Sequence, residues 1–268
     1  MATADEVIAH AAGWFWVPEG GEHLVDDMHI VRYPARFGGG VKCSKVDTDC
    51  SAAEVVDLAI AHARGWGEHS LRFSVSDIDR PSVEDELRRR GAEHTDTTAI
   101  MALALPALTT PVAAACPEPV EGPVEVPDDV HAVRVSTVEQ MRGVDAVNVT
   151  VWGQQPLDED GLAREVAEGD GMRVLAFVTS VTGPVEIPAA TGGCTIVDGF
   201  LRLWGAASMP EFRGRGAYRA VLAERLRWGA ERGAHTAIVT GRISTSAPIL
   251  ARAGFTRHGE LREYTLEV

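Results

Sequence analysis

Residues 213 to 216 set two arginines and two glycines in alternation, Arg213, Gly214, Arg215 and Gly216, just ahead of the run AYRAVLAERLRWGAE. These types suit anion binding. The first turn of a helix offers unpaired N–H groups and the positive end of the helix dipole, so a phosphate is stabilised there without a dedicated side chain. Gly214 and Gly216 carry no Cβ to keep a pyrophosphate off the backbone, and glycine reaches positive φ where a loop curls around an anion. Arg213 and Arg215 add charge within a Debye length of about 8 to 10 Å. An Arg/Gly-rich surface turn would have the same composition, and these residues alone do not separate the two readings. Other phosphate motifs fit worse: the loop has neither the GK[ST] ending of a Walker A loop nor the GxGxxG of a dinucleotide site.

The elements around the loop follow from pattern. VHAVRV (130–135) reads as a strand, and the helix after it has Ser136 and Glu139 at capping-box spacing, with Ser136 as N-cap. LDEDGLAREVAEGDG reads as an acidic helix and MRVLAFVT (172–179) as a buried strand. GGCTIVDGFLRLWGAASMP gives two strands joined at Asp198 and Gly199, a tight-turn pair. The loop then leads into a helix with Tyr218, Val221, Leu222, Leu226 and Gly229 on one face.

Between Pro106 and Pro127 the text holds six prolines and no aromatic residue, and reads as an interdomain linker. The two halves beside it end alike. LRRRGAEHTDTTAIMALAL (87–105) and LARAGFTRHGELREYTLEV (250–268) are equal in length, with Leu87, Arg89, Gly91 and Leu103 opposite Leu250, Arg252, Gly254 and Leu266. Each reads as a helix ended by a left-handed glycine, then a strand. AAEVVDLAIAHARGWG (52–67) and YRAVLAERLRWGAERGA (218–234) are both helical and each precedes a strand, LRFSVSDI or TAIVTGRI, so the order helix, strand, helix, strand occurs twice. A duplicated α/β unit is the economical explanation.

Composition limits the function classes. The chain has 268 residues, 45% of them hydrophobic, enough for one large or two ordinary cores. A formal charge of -14 argues against a sequence-independent grip on nucleic acid or anionic membrane. The N-terminus lacks a signal-peptide pattern and no apolar run reaches membrane-span length, so a soluble, cytoplasmic protein is expected. Cys43, Cys50, Cys116 and Cys194 form no metal-ligand spacing and read as free buried thiols, with a Cys43–Cys50 bridge as the alternative.

The run RGRGAY, after an apolar strand and a proline, and before an amphipathic helix, a strand and SAPILARAGF, resembles the GCN5-related N-acetyltransferase (GNAT) superfamily. The family signature Q/R-x-x-G-x-G/A maps onto Arg213, Gly214, Arg215, Gly216, Ala217 and Tyr218, and departs from it at Tyr218, where Gly or Ala is usual. The resemblance covers residues 130–268 and extends weakly through the repeat to residues 20–105. It implies an α/β (α+β) chain of two GNAT-like mixed-sheet domains flanked by helices: a degenerate domain at 1–105, a Pro-rich linker at 106–128 and an acetyltransferase domain at 129–268.

The same resemblance implies acetyl-CoA as acyl donor. Its pyrophosphate would rest on the amides from Arg213 to Tyr218, and its pantetheine would lie along LWGAASM, beside Ala207, Ser208 and Met209. An amide near Ala207 or Ser208 would polarise the thioester carbonyl. Ser244 and Ser246 are candidates to hold the pantetheine and equally candidates for helix N-caps. The family's usual tyrosine acid falls at Leu250, which cannot donate a proton. Asp198, Glu211 and His235 are the nearest titratable groups in sequence; by position Glu211 faces solvent, Asp198 shapes its turn and His235 starts a strand, so no catalytic residue is assigned. The N-terminal loop carries Asp47 and Asp49, which would repel a pyrophosphate. Trp152 and Trp204 stand as acceptor-side candidates, each with the alternative of plain core packing.

Two functions stay open: an N-acetyltransferase acting on a small primary amine by direct attack in a ternary complex, and a non-catalytic acyl-CoA-binding or regulatory protein with a decayed active site. The expected partners are acetyl-CoA and an amine, without nucleic acid or membrane, and a homodimer is left open.

Overall fold

The computed structural model describes residues 2–26, 28–44, 46, 48–76, 79, 81–106, 126–167, 171–179 and 185–268. Most of the expected linker, together with Asp47 and Cys116, lies outside them. In chain order the elements are α1 (Ala4–Ala12), β1 (Glu22–Val25), β2 (His29–Arg32), β3 (Val41–Ser44), α2 (Ala52–Gly65), β4 (Ser70–Ser76), α3 (Pro81–Arg89), β5 (Glu93–Ala104), β6 (Val130–Arg134), α4 (Val138–Trp152), α5 (Glu159–Ala167), β7 (Met172–Thr179), β8 (Glu186–Val197), β9 (Phe200–Ser208), α6 (Ala217–Glu231), β10 (Thr236–Arg242), α7 (Ser246–Arg252) and β11 (Thr256–Glu267). The fold is mixed α/β, and the helix, strand, helix, strand order recurs as α2-β4-α3-β5 and α6-β10-α7-β11. Gly91 and Gly254, after α3 and α7, both take the left-handed conformation, with φ of 83° and 90°.

Helix starts follow local side-chain chemistry. Ser51 caps α2 and Glu54 caps it in return. In α4 the capping box sits one residue later than the sequence reading placed it: Thr137 is the N-cap and Gln140 its partner. STVEQ contains both spacings, and the Gln140 side chain accepts from the Ser136 amide at 2.8 Å as well as from Thr137 at 3.2 Å, which favours the later register.

The chain divides into two compact units, and they do not follow the expected bounds of 1–105 and 129–268. A middle unit takes Leu103–Val239, and a terminal unit takes Ala2–Ala102 with Thr240–Val268. The reason is strand pairing. Within the terminal unit β11 is hydrogen-bonded to β4 from Leu261 to Glu267 and, on its other edge, to β5 from Thr256 to Thr265, antiparallel to both. The last strand of the chain is thereby built into the sheet of the first hundred residues.

In the terminal unit the strands run β1-β2-β3-β4-β11-β5, with β3 and β4 parallel and α2 crossing between them. One face of this sheet carries Ile30, Val41, Cys43, Phe73, Val75 and Tyr264 into a core shared with Val55, Val56 and Ala59 of α2 and Val83 and Leu87 of α3. The alternate residues of the same strands face the other way.

In the middle unit the order is β6-β7-β8-β9-β10. The first four strands are antiparallel neighbours, and β9 and β10 run parallel with α6 between them. Met141, Val144 and Val147 of α4 and Leu162 of α5 form a core with Leu175 and Ala207. On α6 the expected apolar face is buried at Val221, Leu222 and Gly229 and only half-buried at Tyr218 and Leu226. The same face also buries Glu224 and Arg225, which the apolar reading did not anticipate.

Cys43 and Cys194 are buried and free, whereas Cys50 is exposed and free, which corrects both the bridge alternative and the expectation that Cys50 is buried. Among the described residues no helix is long and apolar enough to cross a membrane.

Candidate functional site

The site is built on β9. Asp198 (φ 50°) and Gly199 (φ 79°) make the tight turn from β8 into β9, as their types require. Further along, Gly193 pairs with Trp204 and Thr191 with Ala207, so Gly192 alone stands against Gly205 and Ala206. This is a β-bulge on β9, with Gly205 at φ 60°, and a bulge bends its strand and increases the local twist. On its other edge β9 is in parallel register with β10 over Phe200–Arg202 opposite Thr236–Ile238. The bend therefore begins where that ladder ends, and the stretch from Leu203 to Ser208 keeps its pairing on the β8 side.

The chain then tightens into a 3-10 turn, Pro210–Phe212, and enters α6 through two left-handed glycines, Gly214 (φ 78°) and Gly216 (φ 88°). Side chains with a Cβ rarely adopt this conformation. At Gly216 a Cβ would also lie 2.6 Å from Cδ of Pro127, whereas at Gly214 it would meet open space. Gly216 is the N-cap and supplies no side-chain cap. The first intrahelical bond runs from the Ala220 amide to Gly216 O at 3.0 Å, so the amides of Ala217, Tyr218 and Arg219 have no partner within the helix. Within the loop, the amides of Arg213 and Arg215 are engaged by Pro210 O and Phe212 O, both at 3.3 Å.

The arginines divide their work. Arg213 is exposed. Arg215 forms an ion pair with Asp129 and lies over the Phe212 ring, 5.7 Å from its centroid, so part of its charge is already answered. A third cation joins them: Nη2 of Arg219 lies 3.8 Å from where a Cβ on Gly216 would stand. The sequence reading did not single out Arg219, although its place three residues after the N-cap puts it on the first turn.

Ala207 is buried in the α4–α5 core, Ser208 is half-buried, and Met209 packs against that core while its amide donates to Ala189 O at 2.9 Å. Trp204 is half-buried on β9, with the Arg173 guanidinium 5.2 Å from its ring, whereas Trp152 ends α4 and is half exposed. Ser246 opens α7, which belongs to the terminal unit. The residue that precedes α7 is Thr245, without a side-chain cap, so neither Ser244 nor Ser246 is an N-cap.

No known protein-family profile matches the chain, and no curated protein sequence does. Solved structures do match. A GCN5-related N-acetyltransferase from Kribbella flavida is similar over 91% of this chain and 88% of its own, with a TM-score of 0.59 and 17% identity. A GCN5-related N-acetyltransferase from Sphaerobacter thermophilus is similar over 90% of this chain and 76% of its own, with a TM-score of 0.60 and 16% identity. This chain has the GNAT fold. A tandem GNAT protein from the clavulanic acid biosynthesis pathway is similar over 90% of this chain and 78% of its own, with a TM-score of 0.58 and 12% identity.

The GNAT fold gives this chain two parallel β-α-β crossovers, and their helix starts differ chemically. At α2 the Ser51 hydroxyl accepts from the Glu54 amide at 3.3 Å, and the Glu54 carboxylate accepts from the Ser51 amide at 2.8 Å. The backbone bond from Ser51, then the hydroxyl bond, holds Glu54 below the usual carboxylate range, so an anion already occupies that helix end. The ends of β3 and β4 are tied in the same way: buried Asp79 accepts from the Val46 amide at 3.1 Å, the Ser76 amide at 2.5 Å and the Ser76 hydroxyl at 2.6 Å. The α6 end has the opposite character, with open amides and flanking cations.

Titratable groups near β9 serve the scaffold. His235 Nδ1 lies 3.0 Å from Thr236 Oγ1, and its ring stands edge-on to Phe200 with centroids 4.9 Å apart. Glu211 is exposed on the 3-10 turn and Asp198 forms the hairpin turn. Leu250 is 1% exposed, and its side chain has no proton to donate.

Proposed function

We propose that the chain is an acetyl-CoA-dependent N-acetyltransferase that acts on a primary amine of a small molecule by direct attack while donor and acceptor are both bound. The observation that carries the reading is the uncapped, arginine-flanked N-terminus of α6 next to the bulged strand β9. Bound acetyl-CoA would supply the activated acyl group. The amides of Ala217 and Tyr218, together with Arg213 and Arg219, suit its pyrophosphate. The bulged stretch of β9 suits its pantetheine, and the amide of Ala207 or Ser208 is the donor proposed for the thioester carbonyl. The Met209 amide is not available for that role, since Ala189 takes it.

The tandem organisation is part of the proposal as a duplication along the sequence, distinct from the spatial units, with residues 1–105 as a degenerate GNAT-like repeat, 106–128 as linker and 129–268 as the acetyltransferase repeat. The self-capped α2 and the Asp79 tie between β3 and β4 support a first repeat that binds no acetyl-CoA. Trp152 and Trp204 are the candidates for the acceptor side. The net charge of -14 favours a cationic acceptor by steering.

One observation favours a second reading. Leu250 offers no proton where the family's acid is usual, which suits a non-catalytic acyl-CoA-binding protein. The two separate on release of free CoA thiol from acetyl-CoA with a panel of primary amines. Amine-dependent release above the hydrolytic background supports transfer; saturable acetyl-CoA binding with no amine-dependent release supports the binding protein.

A further inference from the structure

The terminal unit contains a cavity of about 210 Å³ that the acetyl-transfer reading leaves unused. It lies on the sheet face opposite the α2–α3 core, beneath the segment that follows α1. Trp14, Phe15 and Trp16 of that segment supply one wall and Tyr33 another. The floor is polar, because the alternation that sends Cys43, Phe73 and Val75 into the core sends Ser44, Ser74 and Ser76 here.

The charges of this floor are already matched. Lys42 Nζ lies 3.1 Å from Glu263 Oε1, which also accepts from the Ser74 hydroxyl at 2.8 Å. Asp79, 8% exposed, is held by three donors from Val46 and Ser76. A cation would find both carboxylates taken, and an anion would find one lysine already paired. Hydroxyl capacity is what the site retains. Ser74 and Ser76 spend their protons on the carboxylates and keep lone pairs to accept with, and Ser44 and Thr240 add two more hydroxyls. Such a floor matches a ligand whose groups both donate and accept, and the aromatic wall matches an apolar ring face. A cavity of about 150 Å³ holds a benzene ring, so this one has room for a six-membered ring with substituents.

We propose that this cavity binds a neutral, polyhydroxylated six-membered ring of monosaccharide size. The proposal stands apart from the acetyl-transfer reading and survives its failure. The test is ligand-observed NMR on the full chain with D-glucose, D-galactose and myo-inositol, alongside phenethylammonium and benzoate as charged probes. We expect at least one polyol to bind saturably with a Kd below about 10 mM. Trp16→Ala and Ser44→Val should each weaken that binding at least about tenfold. Trp16 is 51% exposed and Ser44 lies outside the core, so both variants should keep the wild-type circular dichroism, and either one alone suffices. The proposal is overturned if no polyol binds, if binding is unchanged in the folded variants, or if a charged probe binds in a Trp16-dependent manner while the polyols do not.

Discussion

Arg225 and Trp204 press on adjacent glycines from opposite faces of β8. A Cβ on Gly192 would lie 3.0 Å from the Arg225 guanidinium carbon, and a Cβ on Gly193 would lie 2.1 Å from the Trp204 ring. Successive Cβ positions alternate across a strand, so the two side chains lie on different sides of the sheet. Arg225 is 1% exposed and its Nη1 donates to Gly193 O at 3.3 Å. Burial, then the nearby Tyr218, sets its basicity, with the net shift downward. Both contacts fall where β8 meets the β9 bulge, beside the stretch that carries the proposed thioester donor.

Gly193→Ala should therefore destabilise the protein by about 1–3 kcal/mol through overpacking against the indole. Combined with Trp204→Ala, the loss should fall short of the sum of the two single losses by about 1 kcal/mol or more, because the clash goes with the ring. Urea unfolding of the four proteins measures this. Additive losses would show that the ring moves aside freely.

Much of this frame was legible in the sequence. The Asp198–Gly199 turn, the apolar run of β7 and the glycines at 214 and 216 are set by local backbone preference, and each is found where its type requires. Strand neighbours are set otherwise. Nothing local in HGELREYTLEV says that β11 pairs with both β4 and β5, so the grouping of residues 240–268 with the N-terminal ones is a tertiary fact that a sequence repeat does not carry. Arg225 is hidden for a similar reason: on a helical wheel it is one more arginine, and only the missing Cβ of Gly192 opposite it leaves room for its guanidinium. The aromatic run Trp14–Trp16 carried no periodicity, and its cover over a polar sheet face is a tertiary fact.

Cysteine reactivity should split by burial. Cys43 and Cys194 are 0% exposed, and burial pushes both thiols up to about 12, whereas Cys50 is exposed. Since the thiolate is the nucleophile, a maleimide at neutral pH should modify Cys50 in the native protein and reach Cys43 and Cys194 only after unfolding. Peptide mapping by mass spectrometry follows each site. Native labelling of Cys43 at the rate of Cys50 would contradict the packing.

Acid should loosen the terminal unit through Glu84. Burial alone would raise this carboxyl, but the Tyr264 hydroxyl at 2.6 Å, then Arg262 and Arg88, outweigh it and hold it below the usual range. A depressed folded value stabilises above the unfolded value of about 4.3, and that stability is lost as pH falls through the folded value. Glu84→Gln should lower stability at pH 7 and flatten its decline below about pH 4. Unfolding midpoints across pH for both proteins provide the comparison, and parallel curves would exclude Glu84 as a contributor.

Acetyl-CoA is expected to bind at the α6 N-terminus and not at that of α2. Calorimetric titration of the wild type and of the Arg213→Glu/Arg219→Glu variant, both changes being at exposed positions, tests it most directly. We expect one equivalent bound, weakened at least about tenfold in the variant and less tightly held as salt rises. Absence of binding, a second equivalent, or an affinity untouched by the charge reversal would contradict it.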